Sequence, residues 1–170
     1  MSAKASVESV KMRVVNAELF YIRRDVTNVV DWNYEVIATS AFLVEMPHSS
    51  IGGFFDNEWF NIELVWIDGK EAVRFTLKKG YAWDGCSVAP DIKGALEASV
   101  VHDAVYQFCE LLAKQWGWEK KRVLSLGDTI FNLLMQYYGV NSVMRTIYYK
   151  AVCWVGYSFH SANTWLHKFL

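Results

Sequence analysis

The spacing of apolar residues changes once along this chain of 170 residues, close to Pro90. Up to about Tyr81 apolar and polar residues tend to alternate, most clearly over residues 35–44 and 60–67. Alternation is typical of β-strands that bury one face and expose the other. The first half of the chain is therefore predicted to form β-sheet.

An Asp-Gly pair, Asp68 and Gly69, separates two of these alternating runs, residues 61–67 and 71–77. Two-residue turns of this composition match the twist of antiparallel strands and are the strongest short-range hairpin signal. The sequence therefore predicts an antiparallel hairpin here.

In the second half, apolar residues recur every three or four positions, which predicts helices over residues 93–114, 118–138 and 141–168. Gly117 and Gly139 fall at the two breaks, where glycine commonly ends a helix. The predicted fold is α+β: an N-terminal antiparallel β-sheet followed by a C-terminal three-helix unit.

The length and composition indicate a single globular domain over residues 1–170, mainly β over 1–82 and mainly α over 93–170. Hydrophobic residues make up 53% of the chain, enough for a core of its own, so a disordered or fibrous chain is excluded. The formal net charge of -1 argues against nucleic-acid binding through a broadly basic surface.

Three cysteines, Cys86, Cys109 and Cys153, are too few for a disulfide framework and are interpreted as free thiols. The first residues lack the apolar stretch and small-residue cleavage site that an export signal requires. No stretch reaches the roughly 20 apolar residues of a membrane span. We therefore expect no export, no transmembrane helix and a cytoplasmic location.

Most of the functional signal lies in His102, which projects from an apolar helix face shared with Tyr106, and in Asp128, which lies on the apolar face of the next helix. If the two helices form an antiparallel hairpin that turns near Trp116, the two side chains lie at matching heights to within roughly 3 Å. Asp128 would then bind one ring nitrogen of His102 and leave the other free to act as a base.

Three alternatives remain open. His102, Asp128, Asp84 and Tyr106 can instead form a buried polar network that only stabilises the fold. Asp84 can be a simple turn residue, since a glycine follows it. A nucleophile pair of Cys86 and His102, oriented by Asp128, is a further alternative. The remaining histidines show no metal-ligand spacing, which argues against a zinc site.

The chain contains eight tryptophans, which we interpret mainly as core residues, with an aromatic surface for a lipid or a protein partner as the alternative. The last predicted helix has more aromatic residues than one buried stripe can hold, so an apolar patch that supports self-association or a partner is expected there. These aromatic residues are Tyr148, Tyr149, Trp154, Tyr157, Phe159 and Trp165.

Three motifs resemble those of the domain-of-unknown-function family 1353, a family of phage and bacterial proteins. The motifs are a loop with Gly80, Asp84 and Ser87, a helix with His102, Asp103 and Tyr106, and a helix with Asp128 and Phe131. The resemblance covers about residues 79–156. It implies a small sheet followed by helices, a phage or prophage origin and hence a host-cell or virion location, but no activity.

The pattern of His102, Asp103 and Tyr106, with Asp128 on the next helix, is also similar to that of calcium-dependent secretory phospholipases. This resemblance implies that His102 activates water, that Asp128 holds His102, and that Asp103 binds calcium together with carbonyls of the loop that begins at Asp84. Calcium prefers such oxygen ligands and polarises an ester carbonyl. The chain lacks the disulfides of these phospholipases and has one glycine in the loop where they have several.

The resulting hypothesis is a metal-assisted hydrolase that acts on a lipid ester, with calcium as its metal. In it His102, Asp128 and Tyr106 are catalytic, and Asp103 and Asp84 bind the metal. The alternative is a non-enzymatic phage protein that binds a host or virion partner, with the polar cluster purely structural. An accessible cleft at His102 would favour the enzyme, and a sealed network would favour the binding protein.

Overall fold

Two antiparallel sheets make up the N-terminal half of the computed structural model, which describes residues 12–24, 32–86 and 92–159, the last six by their backbone alone. The larger sheet has the strand order β1 (Arg13–Glu18), β4 (Ser40–Glu45), β7 (Lys70–Leu77), β6 (Phe60–Ile67) and β5 (Phe55–Asp56). The smaller sheet has the order β2 (Tyr21–Arg23), β3 (Tyr34–Val36) and β8 (Ala82–Trp83). A short 3-10 helix, His48–Ser50, follows β4.

The hairpin predicted at Asp68 and Gly69 is confirmed, because β6 and β7 pair in antiparallel register up to Ile67 opposite Lys70. Asp68 has φ of 49° and Gly69 has φ of 76°. Two consecutive left-handed residues are what a type I′ turn requires, and Asp and Gly adopt this conformation more readily than other residues.

The C-terminal half contains four described helices: α1 (Ala95–Gln107), α2 (Cys109–Trp116), α3 (Lys120–Tyr137) and α4 (Ser142–Phe159). The α+β class is confirmed, but three helices were predicted. The difference lies at Phe108, where the first predicted helix bends and divides into two. The Phe108 ring packs against Phe55 and Phe60, at centroid distances of 6.3 and 6.2 Å. Aromatic packing on the sheet therefore interrupts a helix whose apolar periodicity is continuous.

One hydrophobic core joins the sheets to the helices. On the larger sheet Phe42, Ile62 and Phe75 are fully buried in it. On the smaller sheet the Trp83 indole donates a hydrogen bond to the Ser99 hydroxyl of α1, over 3.1 Å. Since α1 also carries His102 and Asp103, this contact fixes the end of the smaller sheet beside the polar residues of that helix.

Helices α1 and α3 run antiparallel, as predicted. At the start of α3, Lys120 contacts Cys109, which lies just after the end of α1. Tyr106 contacts Asp128 in the middle of α3, and the His102 ring lies 5.3 Å from that of Phe131 further along. Residue numbers therefore rise on one helix as they fall on the other.

Helix α4 packs beside α3, and its described aromatic residues differ in exposure: Tyr148 is buried and Tyr149 is half-buried. Its exposed apolar side chains among the described residues are Val143 and Ile147. The predicted aromatic patch rests mainly on Trp154, Tyr157, Phe159 and Trp165, whose side chains lie outside the described part, and it stays a prediction. In the part of the chain that the structure describes, no helix has both the length and the apolar character needed to cross a membrane.

Candidate functional site

The imidazole of His102 lies between two carboxylates. Its Nδ1 is 3.0 Å from Oδ1 of Asp103, and its Nε2 is 3.2 Å from Oδ1 of Asp128. The His102 side chain is 9% exposed and that of Asp128 is 2% exposed, whereas that of Asp103 is 19% exposed. One ring nitrogen therefore faces the interior and the other faces a group that reaches the surface.

The predicted contact between His102 and Asp128 is confirmed. The second part of that prediction, a free ring nitrogen, is wrong, because Oδ1 of Asp103 lies within hydrogen-bond distance of Nδ1. Successive residues of a helix lie about 100° apart around its axis, so helical spacing alone does not predict a contact between the side chains of His102 and Asp103. A short side chain on the adjacent residue can nevertheless turn back to the imidazole, and a helical wheel does not show this rotation.

Asp128 is hydrogen-bonded at both carboxylate oxygens. The Tyr106 hydroxyl donates to Oδ1 over 2.7 Å, on the same oxygen that faces His102, and the Cys153 thiol of α4 donates to Oδ2 over 3.3 Å. A buried carboxylate requires such partners, since its desolvation is otherwise costly. The predicted group of His102, Tyr106 and Asp128 is thus brought together, with Cys153 as a fourth member.

The sequence reasoning missed Cys153, although a usable signal existed. Asp128 is 11 residues before Gly139 and Cys153 is 14 after it. In an antiparallel pair that turns at this glycine, the two residues lie at heights that differ by roughly 4.5 Å. The comparison of heights that paired His102 with Asp128 would therefore also have placed Cys153, on the third predicted helix, near Asp128.

The surroundings of His102 raise the pKa of its imidazole above 6.5. Burial alone would lower this pKa, because it disfavours the charged ring, but the hydrogen bonds and negative charges of Asp103 and Asp128 outweigh it. The rings of Tyr106 and Phe131 enclose the imidazole, at centroid distances of 4.1 and 5.3 Å. In the arrangement described, the protonated ring donates to one carboxylate from each nitrogen.

A buried hydroxyl lies close to the more exposed side of this group. Tyr81 is 1% exposed, and among the described residues its hydroxyl has no hydrogen-bond partner. Burial and the negative charges of Asp103 and Asp84 raise the pKa of Tyr81 well above 10, so the hydroxyl keeps its proton. Tyr81 lies two residues before Trp83, on the same side of the extended chain, and Trp83 contacts Ser99, one helical turn from Asp103.

Tyr81 was not singled out from the sequence. The alternation that ends in Trp83 was the available signal, because it turns both aromatic side chains toward α1. The negative charges of the predicted metal ligands Asp84 and Asp103 both raise the pKa of this hydroxyl, so the fold brings these two residues into one region. The backbone carbonyl of Asp84 accepts a hydrogen bond from the Asn33 amide, over 3.3 Å.

The described residues contain no group of three or more His, Cys, Asp or Glu side chains that could hold a metal ion. A metal at Asp84 and Asp103 would therefore need backbone oxygens as further ligands. The ring nitrogens of His102 lie against Asp103 and Asp128, which is not the arrangement that a nucleophile pair with Cys86 requires. All three cysteines are free thiols, as predicted.

Comparison with known protein families gives one match. The family model described as "Protein of unknown function (DUF1353)" matches residues 61–152, more than half of the chain. The chain therefore belongs to this family, as its motifs suggested. The matched segment runs from the β6–β7 hairpin to Val152 on α4, and so includes Tyr81, His102, Asp103 and Asp128. No curated protein and no solved structure matches the chain.

Proposed function

We propose that this DUF1353 protein is a hydrolase in which His102 is the general base, that a calcium ion assists it, and that its substrate is a lipid ester. The observation that carries the proposal is the arrangement around the imidazole. Asp128 lies at Nε2 and is itself held by Tyr106, while Nδ1 is directed toward the more exposed Asp103. A base held at one nitrogen and directed outward at the other is suited to water activation.

Each residue has a separate role in this proposal. Asp128 accepts the Nε2 proton of the neutral ring, which fixes the tautomer and puts the lone pair on Nδ1. Tyr106 keeps the Asp128 carboxylate in place through its 2.7 Å hydrogen bond. Asp103 has to leave Nδ1 before a water molecule can bind there. His102 then takes a proton from that water as the water attacks the ester carbonyl.

The donor chemistry of Asp103 and Asp84 fits calcium. Both supply carboxylate oxygens, which calcium prefers. The negative charge of each also raises the pKa of the Tyr81 hydroxyl, a buried polar group without a partner among the described residues. Backbone carbonyls of the loop that follows Asp84 would complete the ligand set. When bound, calcium supplies a positive charge that polarises the ester carbonyl.

The proposal is tested by phospholipid hydrolysis. Dispersed phospholipid is incubated with the unmodified protein in calcium or in excess chelator, and fatty acid release is measured. We expect release in calcium alone, with a loss of about a hundredfold or more in His102→Gln and Asp128→Asn. Glu63→Gln is the matched control, because Glu63 is an exposed carboxylate paired with Arg74 on the sheet. Absence of release by the unmodified protein on every phospholipid class tested contradicts the proposal.

A second function, partner binding by a non-enzymatic protein, is favoured by one observation. The His102 side chain is only 9% exposed and both of its nitrogens are satisfied, as in a sealed network. The substitution Asp103→Asn separates the two functions. In the hydrolase it abolishes calcium binding and turnover with little change in stability. In the sealed network it leaves Nδ1 of His102 without its charged partner, at a cost of about 1 to 3 kcal/mol.

Calcium titration calorimetry and thermal melting of both forms measure this difference. An unmodified protein that binds calcium, together with an Asp103→Asn form that does not bind it and melts at nearly the same temperature, supports the hydrolase. Absence of calcium binding, together with a clear loss of stability in the substituted protein, supports the partner-binding function and a structural role for the cluster.

A further inference from the structure

We propose that the surface where α2 meets α3 binds an anionic lipid surface. It combines exposed apolar side chains, one half-buried indole and exposed cations, and we call it the α2–α3 corner. Its members are Phe54, Leu111, Lys114, Trp118, Lys121 and Arg122. None of them belongs to the candidate site, and lipid binding is measurable without hydrolysis. The inference therefore goes beyond the proposed function and does not depend on it.

A series of contacts joins the corner into one surface. The Phe54 carbonyl accepts hydrogen bonds from the Gln115 amide, over 2.7 Å, and from the Trp116 indole, over 3.5 Å. The Trp116 ring lies 5.1 Å from that of Trp118, and the Arg122 guanidinium lies 3.6 Å from the centroid of Trp118. The loop that carries Phe54, the end of α2 and the start of α3 are therefore continuous.

Two apolar side chains of the corner face solvent. Phe54 is 56% exposed, although its backbone carbonyl is held by two hydrogen bonds, and Leu111 is 49% exposed. Leu111 lies one helical turn before Gln115 and so shares the side of α2 that contacts the loop. Because these side chains carry no polar group, they can enter the boundary between headgroups and acyl chains without losing hydrogen bonds to water.

The charge of the corner is opposite in sign to that of the whole chain. From Glu110 to Arg122 there are four cationic side chains and two carboxylates, whereas the chain has a formal net charge of -1. One of the cations, Lys120, pairs with Glu110. The other three are exposed, and two of them are Lys114 and Lys121. Cations beside apolar side chains complement anionic headgroups, so charge favours an anionic lipid over a neutral one.

Trp118 and Arg122 suit the headgroup layer between these two parts. Indole rings prefer the boundary between water and acyl chains. Stacking on the indole holds the Arg122 guanidinium at its face, and the N–H groups of a guanidinium lie in its own plane. The stack therefore leaves donors for phosphate oxygens, which arginine binds in a bidentate manner.

The test is co-sedimentation with vesicles of diether phospholipids, which contain no ester to hydrolyse. One set is phosphatidylcholine alone, and the other is equal parts of phosphatidylcholine and phosphatidylglycerol. Both are used in excess chelator, so that calcium cannot bridge protein and lipid. We expect binding to the anionic vesicles, weaker binding to the neutral ones, and a decrease with rising salt. Equal binding to both sets, or binding to neither, overturns the inference.

Two variants alter the apolar and the cationic part separately. Phe54→Ser should weaken binding about tenfold, because a buried phenyl ring is lost. It keeps the backbone carbonyl that Gln115 and Trp116 contact, so the loop should stay in place. The double variant of Lys121→Gln and Arg122→Gln should weaken binding about twentyfold, since each cation near an anionic surface contributes about fivefold. Variants that bind as tightly as the unmodified protein contradict the assignment.

Trp66→Ser and Arg74→Gln are the matched controls on the larger sheet. Trp66 is 66% exposed, and Arg74 is an exposed cation paired with Glu63. Trp66 lies about 20 Å along β6 from Phe60, which packs against Phe108 at the bend before α2. Both controls should bind like the unmodified protein. A loss as large as that of Phe54→Ser would show that the α2–α3 corner is not the binding surface.

A second copy of the chain is the competing occupant of this surface. Self-association that Phe54→Ser abolishes, without any binding to vesicles, would overturn the lipid assignment. The hydrolysis assay separates the inference from the proposed function. Vesicle binding by a protein that hydrolyses no phospholipid leaves the inference in place and removes the proposed function. Hydrolysis of dispersed phospholipid, without binding to diether vesicles, removes the inference alone.

Discussion

Gly127 on α3 leaves the space that the ring of Tyr106 occupies on α1. A Cβ atom at residue 127 would lie 3.2 Å from both Cδ2 and Cε2 of Tyr106, closer than most such contacts, and 3.2 Å from Cγ1 of Val105. The two helices therefore approach closely at this glycine. Because Asp128 is the next residue, the same approach brings its carboxylate within reach of the Tyr106 hydroxyl.

The substitution Gly127→Ala tests this relationship. Alanine favours a helix over glycine by about 1 kcal/mol, but the added methyl group has to displace a ring that is fixed at its hydroxyl end, at a cost of about 2 kcal/mol. We expect a net loss of about 1 kcal/mol in denaturant unfolding and a weaker Tyr106 contact. Ser125→Ala, at an exposed position of α3, is the control and should be neutral or slightly stabilising. A clear gain in stability for Gly127→Ala would show that Tyr106 can move.

Tyr106→Phe removes one of the two donors on Oδ1 of Asp128. A hydrogen bond to a charged group contributes about 1.5 to 3 kcal/mol, and a loss in this range is expected in the free energy of unfolding. The carboxylate then attracts the Nε2 proton more strongly, so the His102 pKa should rise. Denaturant unfolding and an NMR titration of the His102 imidazole measure the two effects. Tyr137→Phe is the control, since Tyr137 is an exposed tyrosine at the end of α3.

The sequence was informative where one local signal determines the structure. The Asp68-Gly69 turn, the sheet before Pro90 and the helices after it follow from periodicity and turn chemistry. The bend at Phe108 was not predictable in this way, because it depends on the rings of Phe55 and Phe60, which lie about 50 residues earlier. Contacts between distant segments have no local signature.

The candidate site also contains one contact that residue spacing predicts and others that it does not. Asp128 was joined to His102 by counting residues from a helix turn, and the contact is present at 3.2 Å. The contact of Asp103 with Nδ1 depends on a side-chain rotation, which spacing does not encode. Tyr81 and Cys153 were missed for another reason. Each reaches the network from a segment outside α1 and α3, and the comparison of heights covered only those two helices.

Gly52 shows a second close approach, between a loop and α2. A Cβ atom at residue 52 would lie 2.2 Å from Cγ of Trp116, near the fixed base of the indole. The adjacent Gln115 amide donates to the Phe54 carbonyl over 2.7 Å and holds the same loop to the helix. The loop and α2 therefore fit together only with glycine at this position.

Gly52→Ala should destabilise the protein by about 2 kcal/mol, because the methyl group forces the loop away from α2. In a Trp116→Gly background the same substitution should cost little, since both the indole and the Cβ atom of residue 116, which would lie 2.3 Å away, are gone. Thermal or denaturant unfolding of the two single variants and the double variant gives this coupling. Additive losses in the double variant would mean that the indole does not limit the space at Gly52.

The raised pKa of His102 makes stability depend on pH in a defined direction. The folded protein binds the imidazole proton more tightly than the unfolded chain, whose histidine titrates near 6.5. The resulting stabilisation is complete below about pH 6.5 and is lost as the pH rises through the folded pKa. Cys109 and Cys153, whose pKa values are raised from 9.0 to about 11, affect stability only at higher pH.

The free energy of unfolding should therefore decline with pH from about 6.5 upward, and His102→Gln should remove this part of the slope. Denaturant unfolding at a series of pH values between 6 and 9 measures both curves. In the same range the proposed base changes from its protonated to its neutral form, so phospholipid hydrolysis should increase as stability decreases. A rate that rises around the pH at which the stability of the unmodified protein falls would assign both effects to one imidazole. An unmodified protein and a His102→Gln variant with the same slope would contradict a raised His102 pKa.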